Sequence, residues 1–271
     1  MFYRFVLVIF LSLSVLLLGS CSVLESDDES QTQCILEEIQ FDPFNSIRFE
    51  TISGGIVYRV LQEFRPEEDD IRITESYRFN YYPDEIVVTD QMNPVTPYPY
   101  MTVELMEDGE QLSRIVRYFA SAGVLLFHEF SYPEENLIRI DLTREASTGD
   151  ILYIGYALYY LNNDGNVSRE ERFRTDEEES SGFRKVQDRR YQYDNSLSPQ
   201  DNLLLPFFGA PTFPDVTFFS VNNVLSFTEN GQTFDYSYLY NDNNSPVEQL
   251  LPTGQAIQFG YVNCLDLFDT L

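Results

Sequence analysis

The chain is short of histidine, of basic residues and of long apolar runs, and each shortage removes a class of function. One histidine, His128, occurs in 271 residues, so a metal centre built from several imidazoles is excluded. His128 stands between Phe127 and Glu129 in an alternating stretch, where a histidine is ordinarily structural and otherwise acts only as a lone acid or base. Glycine-rich phosphate loops are missing as well, Gly54-Gly55 being only a turn. Lysine and arginine number 17 against 44 acidic residues, a net charge of −27. Such a surface repels nucleic acid and anionic lipid, which excludes a nucleic-acid partner and a basic membrane-binding patch. Acidity of this degree accompanies disorder when apolar residues are scarce, but 43% of the residues are hydrophobic and 15% aromatic. That suffices for a core.

The longest apolar run, Phe5 to Leu18, is broken only by Ser12 and Ser14 and follows Arg4. It falls short of the roughly 20 residues that a spanning helix needs and fits the core of a signal peptide. Small residues Gly19 and Ser20 lead into Cys21, and Leu18-Gly19-Ser20-Cys21 resembles the lipobox read by lipoprotein signal peptidases. The resemblance implies a signal peptide over 1–20, cleavage before Cys21 and lipid on Cys21. A buried first helix, or an ordinary secretory signal with a chance cysteine, is the competing reading; the position directly after the apolar core favours the lipobox. Removing the leader takes Arg4 and no acid, leaving 16 basic against 44 acidic residues and a net charge of −28. Membrane attachment then falls to acyl chains.

Residues 22–33 (SVLESDDESQTQ) are polar, acidic and aperiodic, and together with Cys21 they are expected to form a flexible tether, about 20 Å long as a random coil. Within it Ser26-Asp27-Asp28-Glu29 resembles the surface-export signals of Bacteroidota-type lipoproteins, although there the acids sit closer to the cysteine. An outer-membrane protein facing the periplasm or the cell surface is implied. A plain solvated linker is the alternative. Of the three cysteines, Cys34 and Cys264 remain after acylation. In an oxidising compartment pairing is favoured over two separate buried thiols.

From residue 34 to 271 the hydropathy alternates with period two, as in Ile47, Phe49 and Thr51 or Tyr77, Phe79 and Tyr81, which predicts one β-rich domain. Asp108-Gly109, Asp164-Gly165 and Asn230-Gly231 predict type I′ hairpin turns within Met101 to Phe119, Tyr153 to Arg174 and Val224 to Tyr240. Looser turns are expected at Pro83-Asp84, Pro133 to Asn136 and Asn241 to Pro246. A faint unit, in which an aromatic alternation, a polar turn and an aliphatic alternation follow one another, recurs at Glu75 to Thr89, Glu129 to Thr143 and Phe234 to Leu250. Repetition of a hairpin favours an all-β fold, an antiparallel sheet curling on itself, with Tyr and Phe laddered on its inner face. At most one short helix is expected, over Pro199 to Leu205 behind the N-cap Ser198. The apolar stretch Pro206 to Phe219 either folds back over an open end of the sheet or displays Phe207, Phe208 and Phe213 as a partner-binding loop.

Arg190-Tyr191-Gln192-Tyr193-Asp194-Asn195 resembles the Tyr-x-Tyr-Asp core of YD-repeat proteins. Ser220-Val221-Asn222-Asn223, Tyr236-Ser237-Tyr238, Pro246 and Tyr261-Val262-Asn263-Cys264 follow it in order. This succession, over roughly 34 to 265, resembles a group of exported Bacteroidota lipoproteins. Asn195 lacks the Gly-Arg turn that follows in true YD repeats. The resemblance implies a β-rich exported lipoprotein and transfers no catalytic residue.

The loop Asn162 to Asn166 invites a calcium reading, with Glu171 at the twelfth position of an EF-hand count. The first position would then be Tyr160 and the flanks are strand-like, so a hairpin turn is preferred and no metal or cofactor is assigned. Acidic runs at Glu67 to Asp70 and Asp176 to Glu179 read as solvated faces. A carboxylate pair for glycoside hydrolysis cannot be picked out of 44 acids by spacing. The expectation is a membrane-anchored cell-envelope lipoprotein, non-enzymatic, binding or scaffolding a protein or glycan partner. A carbohydrate-active module is the alternative.

Overall fold

The computed structural model describes residues 34–52, 56–67, 70–93, 95–96, 98–107, 111–199 and 213–262. Seventeen strands form one antiparallel sheet. They are β1 (Ile35–Gln40), β2 (Asn45–Thr51), β3 (Val57–Glu67), β4 (Asp70–Tyr81), β5 (Glu85–Asp90), β6 (Met101–Leu105), β7 (Leu112–Phe119), β8 (Val124–Glu134) and β9 (Leu137–Glu145), followed by β10 (Ile151–Leu161), β11 (Val167–Thr175), β12 (Phe183–Leu197), β13 (Asn222–Glu229), β14 (Gln232–Asp235), β15 (Ser237–Tyr240), β16 (Pro246–Leu250) and β17 (Ala256–Val262). Each strand pairs with the next in sequence except at β14 and β15, and β1 pairs with both β2 and β17. The sheet therefore curls into a barrel, which removes the open edges that would invite aggregation.

The handover between β13 and β16 is shared. β14 pairs with β13, β15 pairs with β16, and Tyr236 between them donates its N–H to the Leu225 carbonyl at 2.8 Å. Since β14 and β15 lie end to end, the strands alternate in direction an even number of times around the ring. Antiparallel closure of β1 on β17 requires this.

The two faces are chemically distinct. One register row runs Ile86, Val103, Ile115, His128, Leu142, Gly155 across β5 to β10, and from Val103 to Ile115 and His128 it is wholly buried. One residue further along each strand, the opposite face reads Glu85, Glu104, Arg114, Glu129, Asp141, Tyr156. Strands with period-two alternation settle which face turns inward by burying the apolar set. The buried side chains form a single cluster with members from β1 through β17, so the barrel is filled. Aromatic residues serve both faces: Phe227 stacks on Phe234 at 4.7 Å on the inner side, whereas Tyr156 stacks on Phe173 at 4.5 Å on the outer side beneath Arg139. The expected inner ladder thus accounts for only part of the aromatic content.

The hairpins fall where Asx-Gly placed them, but the turn type holds at one position. Asn230-Gly231 has φ of 52° and 78° between paired Glu229 and Gln232, a two-residue type I′ turn. At Asp164-Gly165 only Gly165 is left-handed, with φ of 82°. There Asn162 Oδ1 accepts from the N–H groups of Asp164 and Asn166 at 3.0 and 2.9 Å, and this side-chain ring stabilises a longer loop. Asp108-Gly109 lies outside the described residues.

Between β12 and β13 the chain enters the barrel. Phe213, Val216 and Phe218 are buried in the core, and Val216–Phe218 is a single 3-10 turn capped by Asp215 Oδ1 on the N–H of Thr217. It is the only helical element among the described residues. Of the helix expected over Pro199 to Leu205, all but Pro199 lies outside them.

Candidate functional site

Because Ile35 faces Val262, the two ends of the described body meet at one end of the barrel. The same end carries the β10–β11 turn, the last residues of β12 and the first of β13. There the motifs singled out in the sequence converge. Tyr193 Oη lies 2.9 Å from Ser220 Oγ and donates to the Val167 carbonyl at 2.8 Å. Asn223 donates to both carboxylate oxygens of Asp194, through its backbone N–H to Oδ1 and its amide to Oδ2, each at 3.1 Å. The N–H of Ser196 donates to Asp194 Oδ1 at 3.0 Å, and the Tyr240 hydroxyl donates to Oδ2. Four donors thus converge on one carboxylate. Further round, Tyr238 donates to the Val224 carbonyl at 3.0 Å and Tyr261 to the Pro246 carbonyl at 2.8 Å. The ordered succession of short motifs is therefore a set of mutual contacts.

Asn222 ties this junction to the β10–β11 turn. Its N–H donates to Asn166 Oδ1 at 2.9 Å, and Asn166 Nδ2 donates to Asn222 Oδ1 at 2.8 Å. The paired amides and the Asp194 cluster form the floor of an open cleft of about 420 Å³. Its rim is Asn162, Asp164, Gln192, Asn195 and Leu225. Gln192 Oε1 accepts from Ser226 at 3.3 Å, and Asn162 Oδ1 is used within its turn. Among the described residues no hydrogen-bond partner engages the Gln192 and Asn162 amino groups, the Asp164 carboxylate or the Asn195 side chain. The lining contains two carboxylates and no cationic side chain. Burial, followed by the bond to Asp194, raises Tyr240 above its ordinary range, and burial does the same for Tyr193. Both phenols stay protonated hydrogen-bond donors at neutral pH.

A second polar cluster lies inside the barrel. Glu170 is fully buried and accepts from Arg172, from Gln187 Nε2 at 2.7 Å and from Tyr191 Oη at 2.7 Å. Arg172 also reaches the Pro214 carbonyl at 3.4 Å, so the cluster fastens the inserted segment to the wall. Nothing in the charged run Arg169 to Arg174 marked Glu170 and Arg172 as inward. Their only signal is position, two apart and on the register of Tyr159 and Ala157.

The other expected site residues are dispersed. Cys34 is disulfide-bonded, while Cys21 and Cys264 lie outside the described residues. Phe213 is 8% exposed and packs in the core, where Arg172 lies over its ring at 5.8 Å; it is not displayed as a binding loop. Phe207 and Phe208 lie outside the described residues. His128 is wholly buried on the inner row.

No known protein family matches the chain, and no curated protein does. Its fold is shared with solved structures. A porin-like protein from Bacteroides vulgatus is similar with a TM-score of 0.55 at 15% identity, over 83% of this chain and 98% of the other. A porin-like protein from Bacteroides uniformis is similar with a TM-score of 0.50 at 10% identity, over 83% and 97%. The chain has the all-β, barrel-like fold of these porin-like proteins.

Proposed function

We propose that this protein is a cell-envelope lipoprotein whose barrel stands in water, held to a membrane by lipid on Cys21, and that it binds or scaffolds a partner without catalysing a reaction. The observation that carries this reading is the polarity of the two faces. A membrane-spanning barrel presents an apolar band about 25 Å tall to lipid and keeps its interior polar, and an arginine or lysine facing mid-bilayer costs about 2–4 kcal/mol. Here the outward row sets Glu104, Arg114, Glu129 and Asp141 side by side, and the interior is packed by a buried apolar cluster that encloses a few polar groups such as Glu170 and His128. A porin's polar, open lumen is replaced by a packed core. A barrel of this kind has no means of holding itself in a bilayer, so attachment belongs to the lipidated cysteine.

The absence of catalysis rests on the placement of candidate groups. His128 is sealed in the core, and Asp194, one of the two carboxylates at the cleft, is held by four donors. Fractionation of cells expressing Cys21→Ala tests the anchor: the variant should leave the membranes or accumulate as uncut precursor. Protein of mature size that still sediments with membranes would defeat the reading.

A further inference from the structure

We infer that the cleft between the β10–β11 turn and the β12–β13 junction binds a neutral polyhydroxylated ligand, a short stretch of uncharged glycan. The inference rests on the binding role proposed above and names its ligand class. The volume of about 420 Å³ lies within the range of small-ligand sites, about 300–1,000 Å³. Charge selects the class. Asp164 and Asp194 line the cleft with no cation to offset them, so phosphate, sulfate and uronic acids are repelled. The chain as a whole is strongly acidic as well, which adds to that repulsion at long range.

The division between floor and rim gives the recognition chemistry. Asn166, Asn222 and Asp194 have their polar atoms committed to one another and to backbone, which holds the floor in one arrangement. The rim keeps amide donors on Gln192, Asn162 and Asn195 and an acceptor on Asp164. Planar amides beside a carboxylate complement neighbouring hydroxyls, each of which both donates and accepts. Leu225, 37% exposed at the rim, offers the apolar contact that a C–H face of a sugar ring needs. Hydrolysis is not part of the inference. Glycosidases of the usual kind need two working carboxyl groups, and Asp194 is held by Ser196, Asn223 and Tyr240.

The test uses the full mature lipoprotein in a detergent without a sugar headgroup, titrated calorimetrically with maltotetraose, mannotetraose, chitotetraose and tetragalacturonate. At least one neutral tetrasaccharide should bind saturably and tetragalacturonate should not. The double variant Gln192→Ala, Asn195→Ala should weaken that binding tenfold or more while the unfolding midpoint stays unchanged. Asp164→Ala should weaken it as well, giving a second reading on the opposite rim. Three results would overturn the inference: no neutral saccharide binds, the acidic one binds as tightly, or the variants bind like the parent. Micelle binding does not depend on how the protein is held in the cell, so a failed anchor and a failed ligand are told apart.

Discussion

The hydroxyl of Tyr159 on the barrel wall donates to the carbonyl of Pro214 in the inserted segment at 2.8 Å, and both residues are buried. This bond joins positions 55 apart in sequence and connects wall to filling. Around it, Phe219 lies 4.8 Å from the Tyr159 ring and 6.4 Å from Phe130. Tyr159→Phe would keep the ring packing and leave the Pro214 carbonyl with only the 3.4 Å contact from Arg172. A stability loss of about 1–2 kcal/mol is expected for a buried acceptor deprived of its donor. It should appear as a lower denaturant midpoint at unchanged slope. An unchanged midpoint would mean that the aromatic contacts alone retain the segment.

Acid should unfold the protein partly through the outer face of β11 and β12. Hydrogen bonding from Arg169, joined by Lys185 and opposed only in part by burial, lowers the Asp188 carboxyl to about 2. In the unfolded chain the same group titrates near about 3.9. Its stabilising contribution is therefore complete above pH 4 and disappears as the pH falls through about 2. Asp188 is 37% exposed, so solvent screens the pair and the gain is small. Asp188→Asn should lower the denaturant midpoint at pH 7 and flatten its decline between pH 4 and 2. An acid limb identical to the parent's would show that other carboxylates carry that dependence.

How much of this was legible beforehand depends on whether the information is local. Period-two alternation placed the strands, and Asx-Gly pairs placed the hairpins because positive φ is a demand on a single residue. At Asp164-Gly165 the loop departs from type I′ because the Asn162 side chain takes the N–H groups of Asp164 and Asn166. Strands β11 and β12 carry charge on both faces, Glu170 and Arg172 inward and Glu171 and Asp188 outward, so alternation could not reveal which face would be buried. Closure of β1 on β17 depends on residues more than two hundred positions apart, for which no local pattern exists. The cleft was hidden for the same reason: Asn162, Gln192, Asn195 and Leu225 share a rim only after β10 to β13 pair. Yet the motifs around Asp194 and Asn223 were visible as an ordered series, and their contacts explain why those residues occur together.

Two glycines share a positive φ and differ in the space around them. At Gly155, with φ of 154°, an added Cβ would stand 2.0 Å from the Phe173 carbonyl oxygen. No side-chain rotation relieves a clash with paired backbone, so Gly155→Ala must part β10 from β11 locally and should cost about 3 kcal/mol. At Gly231 the φ of 78° is left-handed and nothing lies within 4 Å of an added Cβ. Gly231→Ala should cost only the αL penalty, about 1 kcal/mol. Equal losses in the two variants would contradict the close approach at Gly155.

Cys34 is disulfide-bonded, and the β1–β17 register sets Ile35 against Val262. In the sequence Cys264 follows Val262 by two residues, whereas Cys21 precedes Cys34 by thirteen and is proposed above to carry lipid. Peptide mapping without reduction should therefore recover a Cys34–Cys264 linked pair, and thiol counting on the denatured mature protein should find no free thiol. Closing so long a loop restricts the unfolded chain by at most about 5 kcal/mol. Cys264→Ser should accordingly lower stability by up to that amount while leaving the other strand pairings in place, since β1 also pairs with β2. Two reactive thiols, or a Cys21–Cys34 peptide, would show that the seam is held by backbone hydrogen bonds alone and would remove the lipid assignment in the second case.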